Sequence, residues 1–293
     1  MQFGHLEVNC GRYADALQRY SEVLQSCARI EDTDARQAAE RYRAHAIRGK
    51  ADLQGILRRY PEAMRLYEDA LAIYKRLGDR GGEANVLQGK GDLAAAFGHL
   101  DEAGRSYASA QKLYQAAGDK HGKALIHLSL GRLRMRQRDR VAARREFDSA
   151  RVIYNQVEDN LGIGYCDLYV GDLELEECGR DVEAMRSLQR ALTAFDVIGE
   201  KRGRALTYLS LSRLERQRGP EQAVNYCNWA RAVFEELEDE AGVADSVMAC
   251  AKIAAGGETT QAAIEGALKT YKVLGLAAEV AQAEDWLRSR RAG

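Results

Sequence analysis

An aromatic residue returns along this chain at nearly fixed intervals: Tyr74, Tyr114, Tyr154, Phe195, Phe234 and Tyr271 are separated by 40, 40, 41, 39 and 37 residues. A period this regular marks a stacked array, because each unit is a small block that buries its apolar face only against the next copy. Smaller residues keep the same step. Gly91, Gly131 and Gly171, with Ser212 in the matching place, are each followed two residues later by Leu93, Leu133, Leu173 or Leu214. The small residue admits a neighbouring helix, and the leucine fills the space beside it.

Apolar positions inside each unit run at helical spacing, as in Ala103, Tyr107, Ala110, Tyr114 and again Ala143, Phe147, Ala150, Tyr154. A second apolar stretch, such as 83–97, precedes each of these across a polar turn like the GHLD at 98–101. The pattern predicts an all-α fold of antiparallel helix pairs, about seven units including partial terminal ones, in one domain over 1–293. Pro61 falls where the second helix of its unit starts, a place that needs no backbone N–H. Between units the chain reads GDR, GDK, EDN, GEK and EDE at 78, 118, 158, 199 and 238. Glycine there can end a helix in the left-handed conformation, and the acidic residue sits at the positive start of the next. Where Glu158 and Glu238 replace glycine, the junctions are expected to bend differently.

The N-terminal part keeps the frame with a slip. Ala51, Asp52 and Leu53 precede Gly91, Asp92 and Leu93 by 40 residues, and Gly4, His5 and Leu6 precede them by a further 47. The extra residues fall between Cys27 and Ala46. Because Gly4 matches the middle of a first helix, the chain is expected to begin inside a unit, as a fragment of something longer rather than with a half-repeat cap. At the other end, 276–290 reads as a C-terminal capping helix with Trp286 packed inward.

Composition narrows the function. Apolar residues make up 46% and charged residues 30%, with two prolines, which suits an ordered helical chain. The 43 Lys and Arg nearly cancel the 44 Asp and Glu, so no net field draws the molecule to nucleic acid or anionic lipid. The basic run 132–146 interleaves repeat-frame residues and holds no aromatic, so it reads as a solvated helix and turn. Six cysteines are scattered without a CxxC pair, which suits reduced intracellular thiols used as small apolar fillers. No apolar run nears the roughly 18 residues of a membrane span. The expected setting is cytoplasmic and soluble. No phosphate loop, HExxH helix, GxSxG elbow or dinucleotide fingerprint occurs, and the five histidines form no local metal pattern. Neither an enzyme nor a cofactor is expected.

The frame G-x-L…G-x-x-x-x-A-x-x-x-Y/F-x-x-A is carried by Gly91, Gly98, Ala103, Tyr107 and Ala110, and by Gly131, Ala143, Phe147 and Ala150 in the next copy. It resembles tetratricopeptide repeats of the longer type, about forty residues per unit, seen in kinesin light chains, spindle-orientation adaptors and bacterial signal-transduction ATPase sensor domains. The resemblance covers nearly the whole chain. It implies a right-handed α-solenoid whose first helices line a concave groove for a peptide or helix of another protein.

Positions six and three before the small residue, and one and four after it, share one face of each first helix. They give His45, Arg48 and Asp52; Asn85, Gln88 and Asp92; Leu125, Leu128, Arg132 and Met135. Further along they give Tyr165, Leu168, Asp172 and Leu175; Leu206, Leu209, Arg213 and Arg216; and Asp245, Met248 and Lys252. The face turns from polar to apolar with an arginine rim, which suits an amphipathic helix or extended peptide with acidic flanks. Alternatively the leucines pack into neighbouring helices, and the charged row neutralises itself.

Three functions follow from this reading. The first is a scaffold or adaptor holding a protein segment in the groove. The second is a ligand-sensing arm of a larger signalling ATPase or protease. The third is a module that self-associates through its open N-terminal face.

Overall fold

The computed structural model describes residues 13–30, 33–177, 179–253 and 258–291, and among them forms fourteen α-helices and no strand. Numbered in chain order, the first helices of the pairs are α2 (Thr33–Ile56), α4 (Arg80–Ala96), α6 (Lys120–Arg136), α8 (Asn160–Leu175), α10 (Lys201–Glu215) and α12 (Glu240–Ile253). Their second helices are α3 (Tyr60–Leu77), α5 (Leu100–Ala117), α7 (Arg140–Gln156), α9 (Asp181–Ile198), α11 (Pro220–Glu236) and α13 (Glu258–Val273). Helix α1 (Tyr13–Ala28) precedes them and α14 (Ala277–Arg291) follows. The expected half-unit at Gly4, His5 and Leu6 lies outside the described residues, as do Cys10 and Cys178.

The slip in the period has a simple cause. Helix α2 has 24 residues where α4 and α6 have 17 each, so the insertion lengthens one helix at its start. Pro61 and Pro220 both stand in the first turn of a second helix. In α14 the inward residues are Ala283 and Leu287, while Trp286 is half-buried.

The chain divides into two compact units, Met1–Gly162 and Ile163–Gly293. In the first, the helices from α1 to α7 pack each on the one before, and α4 also touches α2 and α6 directly. In the second, each helix from α9 to α14 packs on the next, and α10 touches α12. Successive first helices therefore form an inner layer of each unit, which leaves one of their faces to line it.

Two series of glycines fix this spacing. A Cβ on Gly91, Gly131 or Gly171 would come closer than 3.0 Å to Tyr107, Phe147 or Leu188 of the partner helix. The second series, Gly82, Gly122, Gly162, Gly203 and Gly242, stands eight residues after the first five ruler aromatics. A Cβ there would come equally close to the ring of Tyr74, Tyr114, Tyr154, Phe195 or Phe234. The rings are buried, so each junction closes by laying an aromatic flat on glycine backbone.

The junctions are also capped alike. Side chains of Asp79, Asp119, Asp159, Glu200 and Asp239 accept the backbone N–H of Gly82, Gly122, Gly162, Gly203 and Gly242 at 2.9, 2.9, 3.1, 3.2 and 2.9 Å. Each satisfies a donor that the helix start leaves open.

Glu158 and Glu238 correct an expectation. Both adopt the left-handed conformation, φ 57° and 52°, that glycine takes at Gly78, Gly118 and Gly199. The bend is the same, and the side chain bears the strain, because capping and stacking over-determine the turn. Glu238→Gly is therefore expected to raise stability by up to about 1 kcal/mol, read as a higher urea midpoint.

Candidate functional site

The inner-layer faces of the two units differ in kind. In the first unit the face is polar and largely wired to itself. Asp92 is the hub: it accepts from Tyr107 Oη at 2.7 Å, from Gln88 Nε2, and from Arg132 Nη1 at 3.4 Å. Gln88 also reaches Ser129 Oγ at 3.3 Å, and Asn85 Oδ1 accepts from Tyr114 Oη at 2.7 Å. Asp52 repeats the pattern one unit earlier, accepting from Tyr67 Oη at 2.9 Å with Arg48 Nε 4.0 Å away. Burial, with the Asp92 carboxylate next, holds the Tyr107 hydroxyl well above the usual phenol range.

Tyr74 Oη is buried and has no hydrogen-bond partner among the described residues. In the next unit Asn85 serves the equivalent Tyr114, and forty residues before Asn85 stands His45, whose ring meets the Tyr74 ring edge-on at 5.5 Å. Burial pushes the Tyr74 hydroxyl up to about 12, so it remains a donor throughout the neutral range. On α6, Leu125 and Met135 are half-buried, whereas Leu128 is buried.

The second unit presents a different face. Leu206 and Leu209 of α10 are half-buried, and Arg213 and Arg216 that follow them are exposed. Arg213 Nη2 pairs with Asp172, which also accepts from Ser210 Oγ at 2.5 Å. On α12, Lys252 is exposed and donates to Gln282 Oε1 at 3.1 Å. Partial burial, followed by repulsion from Arg216 and Arg213, lowers the Lys252 ammonium. Arg216 and Arg213 are thus close enough to raise the cost of the charge on Lys252.

Two expected lining residues of this unit are engaged elsewhere. Leu168 is 1% exposed, so it is a core side chain and offers no surface to a partner. Tyr165 packs edge-on against Phe195 and donates to the Glu200 cap at 3.1 Å. Met248 is likewise buried. Leu168 and Met248 are thus covered within the fold, while Tyr165 is half-buried.

The sequence left several paired groups unseen. Asp167, buried on α8, accepts from Arg190 at 3.1 Å, and buried Glu174 accepts from Ser187 Oγ at 2.8 Å with Arg180 at 3.4 Å. Cys250 Sγ on α12 lies 3.9 Å from Asn228 Oδ1 on α11, the residue after buried Cys227. Among the described residues no group of three or more His, Cys, Asp or Glu is arranged to hold a metal ion, and no helix is long and apolar enough to cross a membrane.

No family model matches the sequence, and no curated protein matches it. Among solved structures, the chain is similar to a Rap protein complexed with competence and sporulation factor, with 14% identity and a TM-score of 0.68 over 96% of this chain and 74% of that one. It also aligns with a signal transduction ATPase with numerous domains from Pyrococcus horikoshii that carries a tetratricopeptide repeat sensor. That match has 14% identity and a TM-score of 0.49, covering 94% of this chain and 53% of that one. At such identity the likeness concerns architecture. The fold of this chain is that of a tetratricopeptide-type helical-repeat protein.

Proposed function

We propose that this protein is an interaction scaffold that holds a polypeptide segment, apolar with acidic flanks, against the inner faces of its first helices. One observation carries the reading. In the second unit, half-buried Leu206 and Leu209 adjoin Arg213, Arg216 and Lys252, and an anionic group would relieve the repulsion that the two arginines exert on Lys252. The Rap protein crystallised with competence and sporulation factor shares this fold, which supports a binding role for such a surface. The unsatisfied Tyr74 hydroxyl offers the first unit a donor for a carbonyl or carboxylate.

A random peptide array probed with the full chain is expected to return leucine-containing peptides flanked by Asp or Glu. Reversing two exposed charges together, Arg216→Glu with Lys252→Glu, is expected to weaken those peptides about 30-fold or more while leaving the melting curve unchanged. Retention of the same peptides at unchanged affinity would overturn the reading, as would an array that returns nothing above background.

A further inference from the structure

We infer that the end of the α6–α7 hairpin is a docking surface for an acidic segment of another polypeptide. Residues 134–145 hold six arginines and a single acid, Asp139, leaving 37 basic against 43 acidic residues in the rest of the chain. Arg136, Arg138, Arg140 and Arg145 are exposed, and Arg134 and Arg144 are half-buried. Asp139 accepts from Ala142 N at 3.0 Å as the cap of α7, which fixes it at the helix start. A concentrated cationic surface is left at one tip of an otherwise acidic chain.

Two further observations set this tip apart. The first turns of α3, α5, α9 and α11 carry Glu62, Asp101 with Glu102, Asp181 with Glu183, and Glu221, whereas that of α7 carries no acid and begins with Arg140. A cation at the positive end of a helix is unfavourable. Arg138 also takes φ 62° at the place that Gly98 and Gly179 fill in other pairs, with arginine again at Arg58. Both features cost the free protein stability, and a bound anion offsets the first.

Charge and extent select the partner. Guanidinium groups hold carboxylates through paired hydrogen bonds. One repeat earlier the corresponding tip carries His99, Asp101 and Glu102, so on that side the basic surface ends with this hairpin. A nucleic-acid duplex or a lipid surface reaches well past a single tip and would confront those acids, whereas a short acidic segment does not. Val141, 66% exposed beside Arg140, offers apolar surface that a polypeptide side chain can cover and a phosphodiester backbone cannot. This surface is separate from the inner faces of the first helices, and the inference does not rest on binding there.

The test titrates a fluorescein-labelled octaglutamate peptide with the full chain and follows fluorescence anisotropy. Saturable binding is expected, and it should fall away at high ionic strength. Arg138→Glu with Arg145→Glu is expected to weaken it about 10-fold or more with the helical signal intact, while Arg216→Glu with Lys252→Glu leaves it unchanged. Arg138→Gly supplies an independent readout, and it decides the matter should the double reversal not fold. It should raise the urea midpoint, because glycine takes the turn freely, and still weaken the peptide measurably. The inference fails if the peptide does not bind saturably, if both tip variants keep its full affinity, or if the Arg216 and Lys252 reversal is the one that abolishes binding. It fails equally if a short DNA duplex, or vesicles rich in phosphatidylserine, bind more tightly than the peptide and lose that binding in the tip variants.

Discussion

Replacing Gly122 by alanine is expected to destabilise the protein by about 3 kcal/mol, a large effect for the addition of one methyl group. The new Cβ would overlap the Tyr114 ring, which is 1% exposed and has no free direction in which to turn. Its hydroxyl is held by Asn85 at 2.7 Å, so yielding to the methyl breaks a buried hydrogen bond as well. Gly81→Ala is the matched control. There the nearest atom outside the backbone is Asp79 Oδ1 at 3.6 Å, ordinary contact, and alanine is expected to stabilise by about 0.5–1 kcal/mol through helix propensity. Urea midpoints of the two variants should move in opposite directions. Shrinking the opposing ring supplies the second arm: Tyr114→Leu with Gly122→Ala is expected to cost at least about 1 kcal/mol less than the two separately. Simple additivity would mean that the glycine serves the turn rather than the close approach.

The same geometry explains what the sequence disclosed. The period was readable because the stack demands residue identity at its joints: a ring at Tyr74 or Tyr114 needs a residue without Cβ eight places later, and the first five ruler aromatics all have glycine there, with Glu279 after Tyr271. The conformation at Glu158 and Glu238 was not readable, because capping by Asp159 and Asp239 imposes on glutamate the turn that glycine takes freely. Helical periodicity placed Leu168, Leu206 and Leu209 on one face. It does not say which of them a neighbouring helix covers, and Leu168 is covered while the other two are half-buried. The charged row shows the same gap. Asp92 reads as a groove residue from its register, yet Tyr107 fifteen residues later claims it, a relation that Tyr67 and Asp52 repeat at the same spacing. That recurring interval was a signal in the sequence, but it requires the hairpin to be drawn before it means anything.

Arg202→Ala is expected to cost about 3 kcal/mol, and the reason is the burial of its partner. Asp239 is 1% exposed; one carboxylate oxygen caps α12 by accepting from Gly242 N at 2.9 Å, and the other accepts from Arg202 Nη1 at 2.8 Å. Truncating the arginine leaves a charge in the interior without the guanidinium that balances it. Asp239→Asn, by contrast, keeps an oxygen for the cap and removes the charge, so about 1 kcal/mol is expected from it. With Asn already in place, Arg202→Ala should then cost far less than it does in the wild type, a coupling of about 2 kcal/mol. The equivalent position in the first unit separates burial from capping. Asp79 caps α4 in the same way and pairs with Arg41 at 3.3 Å, but its side chain is 21% exposed and that of Arg41 53%. Water and salt screen this pair, so Arg41→Ala is expected to cost under about 1 kcal/mol and to lose even that at high ionic strength. The Arg202 effect should persist there. Equal losses at the two sites would show that capping, which they share, sets the cost rather than the buried charge.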